Sequence, residues 1–134
     1  MRILIAEDEI ISRELLIRLL TPYGKCDAVA NGQLAVEAFN QALDSGEPYS
    51  LVCLDILMPE LDGLEVLNAI RSSEREHGID EEQKAARVII TTALNDQEHF
   101  VKAHCGGSQW YVTKPIKRNE LLEAIQDLGL VKKL

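Results

Sequence analysis

Hydrophobic and polar positions follow two rhythms that take turns along the chain. Arg2-Ile3-Leu4-Ile5-Ala6 is a short continuous apolar run that stops at Glu7-Asp8-Glu9. Runs of this kind predict strands covered on both faces, as in a parallel sheet. Residues 10–20 switch to helical spacing through Ile11, Leu15, Leu16, Leu19 and Leu20, a stripe suited to one buried face. Thr21-Pro22-Tyr23-Gly24 ends that helix, because the residue before Pro disfavours helix and Gly supplies the turn. Residues 26–30 form a weak second strand. Asn31 caps a helix over 32–43 with the stripe Leu34, Ala35, Ala38, Phe39 and Ala42. Residues 50–55 form the clearest strand, again ending in a carboxylate, Asp55. After the loop 58–63, marked by its Pro and Gly, a helix runs over 64–76 through Leu64, Leu67, Ile70 and Arg71. A fourth strand covers 87–92, and Asp96 caps a fourth helix that Gly106-Gly107 ends. A fifth strand covers 109–113, and a helix over 118–128, with Asn119 as cap, closes the chain.

Five strand–helix units with short connections predict an α/β fold with a parallel sheet and helices on both faces. One stretch is longer and highly charged, residues 74–86, and reads as a solvated helix end plus surface loop, with partner recognition as the alternative. The length of 134 residues suits one domain, 1–134. Its 22 Asp and Glu against 14 Lys and Arg leave a net charge of −8, which argues against nucleic acid and against anionic lipid as partners. No apolar run approaches the roughly 20 residues of a membrane span. The three cysteines, Cys26, Cys53 and Cys105, are scattered and outside any CxxC spacing, which fits a reducing cytoplasm. His99 and His104 lie five apart, on different faces of a helix, so they make no metal pair with Cys105.

Chemistry-bearing residues fall at strand ends. In a doubly wound sheet, sites form outside the carboxyl ends of strands. Those ends carry Glu7 and Asp8, Asp55, Thr92 and Lys114. Clustered carboxylates repel and must take up a proton or a cation, and oxygen-only ligands favour Mg²⁺. Beside such an ion, Asp55 is placed to act as a nucleophile toward phosphorus, with Lys114 and the Thr92 hydroxyl to neutralise phosphoryl charge.

Ala6-Glu7-Asp8-Glu9, Asp55-Ile56-Leu57-Met58-Pro59 through Asp62-Gly63, Thr92-Ala93 and Lys114-Pro115 occur in order at strand–helix spacing. In these motifs the chain resembles the receiver domains of two-component response regulators over essentially its whole length. The resemblance implies a flavodoxin-like (βα)5 fold with strand order 2-1-3-4-5. It implies that Asp55 is the phosphoacceptor, served by a histidine kinase or phosphotransfer protein. It makes Glu7, Asp8, Asp55 and the backbone carbonyl of Leu57 the Mg²⁺ ligands, and Thr92 with Tyr111 the switch pair. Lys114 is implied to pair with Asp55 or its phosphate, across a cis Lys114–Pro115 bond. By position alone, Tyr111 and Trp110 also suit plain packing roles. Leu57 and Leu94 stand two residues after Asp55 and Thr92, where apolar side chains hold no attacking water; slow self-dephosphorylation is the expectation.

Rival readings fit less well. An aspartyl phosphatase or mutase resembles others of its kind in a second acid at the position of Leu57, and a flavin carrier needs a phosphate cradle where Glu7-Asp8-Glu9 would repel phosphate. An unphosphorylated pseudo-receiver, a pure binding module, is the alternative. The expectation is therefore a stand-alone signalling phosphoacceptor and not an enzyme, apart from assisting its own phosphorylation and dephosphorylation. It would be a monomer or a phosphorylation-dependent dimer. Its output would run to a protein target through the face of the fourth helix, fifth strand and closing helix, roughly residues 95–105, 109–113 and 117–128.

Overall fold

The computed structural model describes residues 1–58, 60–81, 84–93 and 108–131. Strands β1 (Arg2–Ala6), β2 (Lys25–Val29), β3 (Leu51–Asp55), β4 (Arg87–Thr92) and β5 (Gln109–Thr113) form one parallel sheet in the order 2-1-3-4-5. Helices α1 (Ile10–Leu20), α2 (Gly32–Asp44), α3 (Gly63–Glu76) and α4 (Arg118–Asp127) connect and cover it. The expected helix between Asp96 and Gly107, with His99, His104, Cys105 and Leu94, lies outside the described residues.

Strand side chains alternate between two faces, so each continuous apolar run supplies two cores. Ile3, Ile5, Leu51, Cys53, Ile89 and Val112 pack under α1 and α4 through Leu16, Leu20, Leu121 and Ile125. Leu4, Ala6, Val52, Leu54, Val88 and Ile90 pack under α2 and α3 through Phe39, Val66, Leu67 and Ile70. The doubled covering explains why β1 and β3 read as uninterrupted apolar segments. β3 is buried at every position, Asp55 included.

Several expectations need correction. Of the expected α1 stripe, Leu16 and Leu20 are fully buried and Leu15 and Leu19 only partly, whereas Ile11 is 76% exposed. A helix with apolar residues on more than one side does not reveal from spacing which side faces the sheet. Leu34 is likewise exposed, leaving Ala35, Phe39 and Ala42 as the buried face of α2. β2 begins one residue earlier than expected. The N-cap of α4 is Lys117, without a side-chain bond, in place of Asn119. The charged stretch is not wholly solvated. Glu74 is buried, accepting from Arg71 Nη1 at 2.6 Å and from the Ala86 amide at 2.7 Å. Arg71 also donates to Gln109 and Ser108, so one ion pair ties α3 to the starts of β4 and β5.

Candidate functional site: an acidic rim closed by a lysine

β1 and β3 are neighbours, and α1 and α3, which follow them, cover opposite faces of the sheet, which opens a crevice at their carboxyl ends. β1 runs straight into Glu7 and Asp8, and β3 ends on Asp55. Each of Glu7, Asp8 and Asp55 offers a carboxylate oxygen, all three within 4.8 Å of one another. Glu7 and Asp55 are buried and Asp8 is exposed. Two ionised carboxylates at that separation repel by about 3 kcal/mol at an effective dielectric constant near 20, enough to require a proton or a cation.

Lys114 answers part of that requirement. Its Nζ donates to Glu7 Oε1 at 2.7 Å and to Asp55 Oδ2 at 3.1 Å. The register Thr92↔Thr113 sets it there, and its amide donates to the Thr92 carbonyl at 2.7 Å. The Lys114–Pro115 bond is cis. Burial raises the pKa of Glu7 above the usual carboxylate value, with the neighbouring Asp55 adding to it against the lowering contact of Lys114. Burial works against the charged form of Lys114, but the bonds and charges of Glu7 and Asp55 outweigh it and hold its pKa above normal.

The backbone is arranged around these groups. The Leu57 amide donates to Asp55 Oδ1 at 3.2 Å, and the Glu9 amide to Glu7 Oε2 at 3.2 Å. Glu9 then caps α1, accepting from the amides of Ile11 and Ser12, bonds with Ser12 that pull its pKa down. Arg13 reaches back from α1 to the Glu7 carbonyl at 3.0 Å. Sequence reasoning missed Glu9 as cap and Arg13 as tether, since Glu is an uncommon cap and the Arg13 contact is with backbone.

Gly63 was legible only as a turn signal, yet packing requires it. A Cβ there would lie 2.7 Å from the Asp55 carbonyl oxygen and 2.9 Å from Ile56 Cα. Asp62 and Glu65 form a capping box that starts α3 at that point, a spacing readable in the sequence. Gly32 does the same for the far side of the loop, where a Cβ would meet the Leu61 carbonyl at 2.2 Å.

The structure therefore brings Glu7, Asp8, Asp55 and Lys114 together, with Leu57 alongside through its amide. Thr92 ends β4 fully buried, its hydroxyl donating to the Ala93 carbonyl at 3.3 Å. Tyr111 is not at the rim. It pairs with Ile90, two residues below Thr113, half-buried against the α2–α3 core. Trp110 is 43% exposed.

Strand order and rim together define a flavodoxin-like α/β domain built around an acidic, lysine-closed crevice. The chain belongs to the response regulator receiver domain family, which it matches over residues 3–126. It is a CheY-like receiver domain of two-component systems. It is 30% identical to the chemotaxis protein CheY of Halobacterium salinarum over 95% of each chain. It is 33% identical to hybrid signal transduction histidine kinase L of Dictyostelium discoideum, covering 96% of this chain but 7% of that protein's length. Among solved structures, the receiver domain of a sensor histidine kinase from Pseudomonas aeruginosa is 26% identical. It superposes with a TM-score of 0.72 over 96% of this chain and 97% of that one, and it holds a magnesium ion in its active-site cleft. Among the described residues of the present chain, no helix is long and apolar enough to cross a membrane.

Proposed function

We propose that the chain acts as the phosphoacceptor receiver of a cytoplasmic response regulator. Asp55 accepts a phosphoryl group from a phosphohistidine on a histidine kinase or phosphotransfer protein, in a Mg²⁺-dependent reaction, and the change is read by a protein partner. The observation that carries this reading is the convergence of Glu7, Asp8 and Asp55 within 4.8 Å with Lys114 bonded to two of them.

An Asp55 carboxylate oxygen attacks phosphorus while the bond to the donor imidazole breaks, its electron pair going to nitrogen. An acyl phosphate on Asp55 results. Lys114, bonded in this state to Asp55 Oδ2, is within reach to exchange that bond for one to a phosphoryl oxygen, a charge-assisted contact. Thr92 exchanges its Ala93 contact for another phosphoryl oxygen, and the vacated space beside β4 and β5 lets Tyr111 turn inward. The all-oxygen donor set suits a hard divalent ion, with Glu7, Asp8, Asp55 and the Leu57 carbonyl as the residues to hold it. When bound, Mg²⁺ supplies charge neutralisation for the incoming phosphoryl group. In this reading the chain is a signalling phosphoacceptor that at most assists its own phosphorylation and dephosphorylation.

The test is exposure to a small-molecule phosphodonor with and without Mg²⁺, read by intact mass. A Mg²⁺-dependent gain of one phosphoryl group, absent in Asp55→Ala, is expected. With Leu57 exposed at the site, the label should persist, and its loss within seconds would overturn slow self-dephosphorylation. Absence of labelling in the parent chain would leave an unphosphorylated binding module.

A further inference from the structure

β5 is an outer strand of the sheet, and a groove of about 350 Å³ opens between it and α4. Trp110, Thr113, Glu120, Glu123 and Asp127 are among its lining residues. Trp110 and Val112 share one face of β5; Val112 is buried in the core beneath α4, whereas Trp110 leaves much of its indole in water. Its ring lies 5.9 Å from that of Tyr111, centroid to centroid, but Tyr111 packs toward the α2–α3 core, so the aromatic surface on this side is that of Trp110. Glu120, Glu123 and Asp127 follow at helical spacing, all three exposed. A single exposed aromatic is unremarkable on any surface. An aromatic face with carboxylates along one side is a more specific combination. It complements a guanidinium, which stacks on indole and pairs with carboxylate in the same pose.

The groove is also continuous with the acidic rim. β5 passes from Trp110 through Tyr111 to Thr113 and directly into Lys114, the residue bonded to Glu7 and Asp55. Trp110 and Lys114 therefore lie on one continuous segment with no loop between them.

We propose that this groove takes a basic, arginine-bearing segment of the output partner, with a guanidinium stacked on Trp110 and paired to Glu120 or Glu123. The inference rests on the reading of the chain as a phosphoacceptor that signals to a protein, and it names that protein's chemistry. Exposed ion pairs alone are weak and select poorly between Lys and Arg. Stacking on Trp110 gives the preference for Arg.

Trp110 is the only tryptophan of the chain, so its emission reports this groove alone. The probes are blocked peptides alternating Arg with Leu, Lys with Leu and Glu with Leu, titrated into the whole chain before and after phosphodonor treatment. The Arg peptide should change Trp110 emission saturably, bind more tightly than the Lys peptide, and leave the Glu peptide without effect. The double variant Glu120→Lys/Glu123→Lys should weaken the Arg peptide about tenfold, the size expected for two surface pairs plus altered stacking. Glu37→Lys/Glu76→Lys changes net charge equally at exposed positions elsewhere and should leave binding unchanged. Equal weakening in both double variants, or no emission change with any peptide, overturns the proposal. Labelling of Asp55 is read separately by mass. Labelling without peptide binding sinks the groove alone, whereas peptide binding without labelling sinks the phosphoacceptor reading alone.

Discussion

At the scale of single residues, burial changes what a charge does. Glu74 and Glu76 are two positions apart in a run of like composition, yet Glu74 is 3% exposed and Glu76 lies in water. Glu74 is held by Arg71 and the Ala86 amide, and Arg71 by Ser108 and Gln109. Removing one partner of a buried pair leaves the other charge uncompensated, which costs about 3 kcal/mol or more. Glu74→Ala should therefore lower unfolding stability by about that amount, and Glu76→Ala should stay within about 0.5 kcal/mol in urea titrations. Equal effects would show that the Arg71–Glu74 pair is not a structural anchor. The signal for Glu74 was present in the sequence: it stands four residues after Ile70 and seven after Leu67, on the stripe that becomes buried, with Arg71 three positions before it. Charge content masks that position, and the Ala86 amide that donates to it comes from the far end of the connection to β4, which no local pattern encodes.

At the scale of elements, the strands were legible almost to the residue because double-sided burial leaves a continuous apolar run with a polar stop. β4 and β5 match expectation at both ends. The strand ends carry the site with them, which is why Glu7, Asp55 and Lys114 are legible in the sequence. Helix faces were less legible: α1 has Ile10, Ile11, Leu15, Leu16, Leu19 and Leu20, and spacing alone admits two rotations. Joints between helices were not legible at all. His77, just past α3, faces Asp44 at the end of α2 through Nε2 at 2.9 Å and the Ser73 carbonyl through Nδ1 at 2.8 Å. Both neighbours accept, so the imidazolium, a donor at both nitrogens, fits the joint best. The Asp44 bond first, then the Ser73 carbonyl, raise the His77 pKa above its ordinary value. A raised folded-state pKa means the joint contributes fully below the unfolded pKa near 6.5 and is lost as pH rises through the folded value. The stability gap between the parent and His77→Gln should accordingly be larger at about pH 5.5 than at about pH 8.5, since only the lower value keeps the imidazole charged in both states. A gap independent of pH would show that the joint does not use the charged ring.

At the scale of the whole molecule, two apolar cores fix five strand ends on one rim, and the rim concentrates negative charge. Of the −8 overall, the carboxylates of Glu7, Asp8 and Asp55 gather within 4.8 Å, against a single ammonium bonded to two of them. The fold therefore holds these groups together against their repulsion, and a bound cation should return stability to the entire domain. Anything that binds only the folded state stabilises it by mass action, about 2.7 kcal/mol at a hundredfold excess over Kd. For a chain of this size that amounts to a rise of several degrees in the thermal midpoint. MgCl2 should raise the midpoint by more than NaCl of equal ionic strength, because general screening acts alike in both while only the divalent ion fills the carboxylate crevice. Asp8→Asn separates the two effects. It removes one charge from the rim, so the metal-free midpoint should stay level or rise slightly, and it removes an exposed ligand, so most of the Mg²⁺ increment should vanish. Equal shifts from the two salts, or an undiminished Mg²⁺ increment in Asp8→Asn, would show that the rim's acidity is not organised around a cation.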